Sequence, residues 1–67
     1  MSTLGIELPL EMARVRDKVL PTYMAIPEGA IAAMFMRQDL DLAARAMAEG
    51  DIVVMLRAYD ALKAYNV

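Results

Sequence analysis

Residues 36–65 read MRQDLDLAARAMAEGDIVVMLRAYDALKAY, and the pair Gly50 and Asp51 near the middle of this stretch sets the architecture. Glycine readily adopts the left-handed conformation that ends a helix, and aspartate accepts hydrogen bonds from the free amides that begin the next one. Hydrophobic residues recur at spacings of three and four on both sides of the pair. The stretch therefore predicts an antiparallel αα-hairpin, with one helix over about residues 27–49 and the next over about residues 52–65.

A further helix is predicted upstream, over about residues 9–25. Pro9 suits the first turn of a helix, while residues 1–7 show no helical pattern and are predicted to be a flexible lead-in. Pro21 lacks an amide hydrogen, so it either kinks this helix or ends it. The predicted fold is all-α, with three helices in one domain over residues 1–67. The face of the first helix that we expect to point inward carries Met12, Val15, Val19, Tyr23 and Ile26.

The composition argues against several classes of function. The chain has no Cys and no His, which removes the usual general base and two common metal ligands, so we expect no enzymatic activity, no cofactor and no bound metal. Seven basic residues against nine acidic ones give a net charge of −2, which argues against nucleic-acid binding. The first ten residues carry no Lys or Arg, and the longest apolar run is only residues 30–36. We therefore expect a cytoplasmic protein without a secretory signal or a membrane span.

The chain is richer in apolar residues than one small domain can bury. Hydrophobic residues make up 60% of the sequence, whereas a domain of this size buries only about 60% of the surface that its unfolded chain exposes. The two hairpin helices also carry apolar residues outside their main stripes. A second copy of the hairpin could cover them, giving a symmetric homodimer with four central helices, and a higher homo-oligomer is the alternative. The predicted self-association residues are Ile31, Phe35, Leu42, Ile52, Leu56 and Tyr59.

A second set of residues is predicted to contact a protein target. Met34 projects between Arg37 and Arg45 on the polar side of the first hairpin helix. Thioether side chains adapt to irregular surfaces, and arginine and methionine are enriched where proteins bind one another. We therefore predict that Met34, Arg37 and Arg45 face outward toward a protein partner.

Residues 36–65 also resemble small helical proteins encoded by bacteriophages and prophages. The likeness covers about half of the chain and lies in the helical hairpin pattern quoted above. It implies a stoichiometric inhibitor of host or defence machinery, a group that includes anti-CRISPR proteins and regulators of host transcription. Two other functions stay open. One is a sponge that holds a signalling nucleotide between protomers by tyrosine stacking and arginine–phosphate contacts, and the other is a structural or assembly protein.

Overall fold

Helices account for nearly all of residues 4–66, the part of the chain that the structure, a computed structural model, describes. In chain order the elements are α1 (Leu4–Arg14), a π-helical segment (Val15–Val19), α2 (Leu20–Met24), a 3-10 turn (Pro27–Gly29), α3 (Ala30–Glu49) and α4 (Ile52–Lys63). The first three elements follow one another without a break and form a single helical arm. Over residues 4–66 there is no β-strand, so the prediction of an all-α fold with three helices is confirmed.

The helical arm begins at Leu4, earlier than the predicted start near Pro9. Leu8 is completely buried, and Leu4 packs against the same hydrophobic core. Pro9 lies inside the helix and removes one backbone hydrogen bond, a loss that the burial of these two leucines offsets. The prediction of a flexible lead-in over residues 1–7 is therefore wrong for residues 4–7, and residues 1–3 lie outside the described range.

The arm continues through Pro21 instead of ending there. In the π-helical segment, the amide of Leu20 donates a hydrogen bond to the carbonyl oxygen of Val15, five residues back. This wider turn accommodates Pro21, whose ring would clash with the carbonyl four residues earlier in a regular α-helix. The hydroxyl of Thr22 then donates to the carbonyl oxygen of Lys18 at 3.0 Å. The chain thus remains helical as far as Met24.

The connection between α2 and α3 depends on Pro27 and Gly29. Ile26 is extended, with φ −121° and ψ 142°, which is the conformation favoured for a residue that precedes proline. Gly29 is buried, and a Cβ atom at this position would overlap the backbone carbonyl of Tyr23. Glycine therefore permits the close approach that brings α2 against the start of α3. Because the chain leaves the helix here, Ile26 is 48% exposed, and its predicted inward position is wrong.

The link between α3 and α4 is built from local hydrogen bonds. Gly50 is left-handed, with φ 68° and ψ 27°. The amide of Gly50 donates to the carbonyl of Met47 at 3.2 Å, and that of Asp51 donates to the carbonyl of Ala46 at 2.9 Å, which is the Schellman pattern. The carboxylate of Asp51 accepts a hydrogen bond from the amide of Val54 at 3.2 Å. Both helix ends are therefore satisfied within a link of two residues.

All three helical units contribute to one hydrophobic core. Small side chains in the core of α3 and α4 allow the helix backbones to approach each other closely, while leucine, valine and methionine fill the remaining space. The buried core residues are Leu8, Val15, Val19, Leu20, Ala33, Met36, Ala43, Ala46, Met55, Ala58 and Leu62.

Polar contacts between helices set their relative positions. The guanidinium of Arg14 donates to the carbonyl oxygen of Leu62 at 3.0 Å and is held by the carboxylate of Glu11. Further along both elements, the hydroxyl of Tyr23 donates to the carbonyl oxygen of Asn66 at 3.0 Å. Arg14 contacts Leu62 and the later Tyr23 contacts the later Asn66, so α4 runs in the same direction as the arm.

Candidate interaction surfaces

One side of α3 exposes a row of large apolar side chains. Ile31, Phe35 and Leu42, here called the Phe35 surface, follow the spacing of a single helix face. All three are exposed, and Phe35 is 50% accessible. The core residues Met36 and Ala43 are rotated by about 100° from their neighbours Phe35 and Leu42. Much of the Phe35 surface therefore stays accessible, although an aromatic ring is among the most favourable groups to bury against a partner.

Met34 and Arg45 border the Phe35 surface along one edge of α3. They are eleven residues apart, which corresponds to about three helical turns, so they point in nearly the same direction. Met34 is exposed. Arg45 pairs with Asp41 at 3.2 Å, but both side chains are 67% accessible. Such an exposed ion pair is weak, so the Arg45 guanidinium can exchange Asp41 for a carboxylate of a partner.

The second row of apolar side chains lies on α4. Ile52, Leu56 and Tyr59 form what we call the Leu56 surface. Ile52 and Leu56 are exposed, the latter 52% accessible, while Tyr59 is half-buried against the core. The ammonium of Lys63 stands 5.3 Å from the centre of the Tyr59 ring, a cation–π contact that orients the ring.

The Phe35 surface and the Leu56 surface lie on different helices, α3 and α4. Tyr65 faces α3, because its hydroxyl donates a 2.6 Å hydrogen bond to the carboxylate of Asp39. Within α4, Leu56 is rotated by about 100–160° from the buried residues Met55, Ala58 and Leu62, so it points away from the core. Phe35 lies one turn before Asp39, on the edge of α3 that borders α4. The six residues predicted to form one self-association patch therefore divide between two surfaces.

Leu10 is a further exposed apolar residue, on α1, that the sequence pattern did not mark as a surface residue. Leu10 precedes Arg14 by one turn, and Arg14 is bonded to the carbonyl of Leu62. Tyr59 precedes Leu62 by nearly one turn on the parallel helix, so Leu10 and Tyr59 lie at about the same level. Leu10 is exposed, as is Ile6 one turn before it. Their spacing of four residues was the available signal, but Pro9 between them suggested a helix start instead.

A groove lies between the end of α2 and the start of α3. Its volume is about 410 Å³, and apolar side chains form most of its walls. Arg37 is the only charged residue among those that line it, and its guanidinium donates to the thioether sulfur of Met24 at 3.1 Å. The groove is lined by Met24, Ala25, Ile26, Pro27, Ala30, Ala33 and Arg37.

Arg37 is the one predicted target contact that also lines this groove. Arg37 and Arg45 are eight residues apart, which corresponds to about 80° of rotation and about 12 Å along the helix axis. Arg37 lines the groove beside α2, whereas Met34 and Arg45 border the Phe35 surface. Met34 lies between the two arginines in projection, one turn from Arg37, so Arg37 both neighbours Met34 and lines the groove.

Within residues 4–66, the titratable group with the large pKa shift, Tyr65, has a structural role. Burial and the neighbouring Asp39 carboxylate raise the pKa of the Tyr65 phenol to about 12, so this group holds its proton and remains a hydrogen-bond donor at neutral pH. Between residues 4 and 66, no cluster of three carboxylates has a geometry suited to a metal ion. Over the same range, no helix combines the length and the apolar character needed to cross a lipid bilayer.

Comparisons with known proteins returned no relatives. No protein-family model, no curated protein and no solved structure matches this chain.

Proposed function

We propose that this protein is a non-enzymatic binding protein that occupies a surface of a protein target stoichiometrically. The observation that supports this proposal is the Phe35 surface, a row of exposed apolar residues on the 20-residue helix α3. Its edge adds Met34 and Arg45. Aromatic, methionine and arginine side chains are enriched at the centres of protein interfaces, and an amphipathic helix that fills a groove uses the same three-and-four spacing.

We further propose that the Leu56 surface mediates self-association. Interfaces of permanent homodimers are more apolar than those of transient complexes. Ile52 and Leu56 provide apolar area, with Tyr59 at its border, whereas the Phe35 surface is bordered by the Asp41–Arg45 ion pair. A dimer whose interface is formed by α4 of both protomers would leave α3 of each protomer free. One dimer could then present two copies of the Phe35 surface.

The target class follows from the resemblance of residues 36–65 to small phage-encoded inhibitors. We propose a cytoplasmic protein of host or defence machinery as the target, masked by α3. To mask a target surface, a small inhibitor needs only affinity for that surface. Exposed apolar and arginine side chains on a rigid helix provide this affinity at low entropic cost.

Two matched substitutions test the proposal. Phe35 and Leu56 are almost equally accessible, at 50% and 52%, so Phe35→Glu and Leu56→Glu introduce the same charge at comparable positions on different surfaces. Light scattering over a dilution series should show that Leu56→Glu lowers the solution mass to that of one chain, while Phe35→Glu keeps the wild-type mass.

Target binding is measured with the same three proteins. Each is expressed with an affinity tag in bacterial cells, and bound proteins are quantified by mass spectrometry. A target held in a fixed ratio by the wild type and by Leu56→Glu, but lost with Phe35→Glu, supports the proposal. Equal recovery with Phe35→Glu contradicts it. A wild-type protein that is monomeric at every concentration contradicts the assignment of the Leu56 surface to self-association.

A further inference from the structure

The groove between α2 and α3 has the properties of a small-molecule site. Its volume of about 410 Å³ falls within the range of about 300–1,000 Å³ that ligand pockets in proteins occupy. Met24 and Ile26 supply large apolar side chains that remain accessible, and Ala30 and Ala33 leave room between them because their side chains are short. The extended backbone at Ile26 and the close packing of Gly29 on Tyr23 hold one wall in place.

Arg37 gives the groove a single, uncompensated positive charge. Arg14, Arg16 and Arg45 are each paired with a carboxylate at 3.2 Å or less. Among the described residues, Arg37 and Arg57 have no such partner, and of these two only Arg37 lines the groove. The one polar contact that Arg37 makes within residues 4–66 is with the sulfur of Met24, a weak acceptor. A guanidinium carries five N–H donors and binds a carboxylate in a bidentate manner, so most of the donor capacity of Arg37 is free.

We propose that this groove binds a small amphipathic monocarboxylate, such as a medium-chain fatty acid. The apolar tail lies along Met24, Ile26 and Ala30, and the carboxylate receives two hydrogen bonds from the guanidinium of Arg37, which exchanges its sulfur contact for the stronger acceptor. The site is independent of the Phe35 and Leu56 surfaces, so its occupancy does not depend on the proposed protein target.

Calorimetric titration of the full chain with sodium decanoate, below its micellar concentration, tests the charge requirement. Decanoate should bind one molecule per chain. Decanol keeps the tail without the charge, and acetate keeps the charge without the tail, so both should bind at least tenfold more weakly. Octanoate should bind more weakly than decanoate, by up to about fourfold for each methylene removed.

Substitutions locate the site. Arg37→Gln should weaken decanoate binding about tenfold or more, because a charge-assisted pair is lost. Arg45→Gln is the matched control, because Arg45 is also an exposed arginine of α3 but does not line the groove. This substitution should leave the affinity for decanoate unchanged. Ala30→Phe, at an exposed position, should fill the groove and abolish binding while circular dichroism remains that of a folded helical protein.

Methionine methyl resonances give a readout that does not depend on affinity. Decanoate should shift the signal of Met24, which lines the groove, and leave that of Met55, which is buried between helices elsewhere. Equal affinity of Arg37→Gln and Arg45→Gln, equal binding of decanol and decanoate, several molecules bound per chain, or methyl shifts that bypass Met24 would each overturn the proposal.

Discussion

The hydrogen bond between Tyr65 and Asp39 ties the segment that follows α4 to α3, and removing it tests how much this tie stabilises the fold. Tyr65→Phe deletes the hydroxyl that donates to the Asp39 carboxylate at 2.6 Å and keeps the ring that packs against the core. Hydrogen bonds to charged groups contribute about 1.5–3 kcal/mol. Both residues are only partly buried, so water competes for the carboxylate, and we expect a loss of about 1–2 kcal/mol in the free energy of unfolding.

For a domain of this length, such a loss lowers Tm by about 7–14 °C. Urea unfolding followed by circular dichroism at pH 8 measures the free-energy difference, and Tyr59→Phe serves as the control. The hydroxyl of Tyr59 has no hydrogen-bond partner within residues 4–66, and the Lys63 contact needs only its ring. The control should therefore remain within about 0.5 kcal/mol of the wild type.

The pH dependence of the same difference follows from the pKa of Tyr65. This pKa is raised in the folded protein, from 10.0 to about 12, so the folded state retains the phenolic proton more firmly than the unfolded state. The stabilisation is complete below pH 10 and is lost as the pH rises toward 12. The wild type and Tyr65→Phe should therefore converge in stability over that interval. Equal stability at pH 8, or a difference that stays constant up to pH 12, would refute the proposed coupling of α3 and α4.

Three further substitutions probe the local features that shape the surfaces. Gly29→Ala should destabilise the protein by about 1–3 kcal/mol in urea unfolding, because its Cβ would overlap the carbonyl of Tyr23. Gly5→Ala is the contrasting change: its Cβ meets nothing within 4 Å, and alanine in a helix should add about 0.5–1 kcal/mol. A destabilising Gly5→Ala or a neutral Gly29→Ala would contradict the packing of the arm. Asp51→Ala should lose about 1 kcal/mol with the helix cap on Val54, and an unchanged Tm would mean that the cap is not formed in solution.

Local chemistry determined much of the fold from the sequence alone. The Schellman pattern at Gly50 and the cap at Asp51 use donors and acceptors within five residues of each other, so their residue types predict them. The exposure of Phe35 and Leu56 followed from helical periodicity in the same way. Such features depend on backbone geometry that repeats along one helix, and neighbouring elements change them little.

Tertiary packing decided where the helices begin and how they face one another. The arm begins before Pro9 because Leu4 and Leu8 pack into the hydrophobic core. Ile26 is exposed because Gly29 packs on a carbonyl six residues earlier in the chain. The hydrogen bond that ties the end of the chain to α3 joins Asp39 and Tyr65, which are 26 positions apart. Periodicity places each residue on a face of its own helix, but only contacts between helices determine which faces lie side by side.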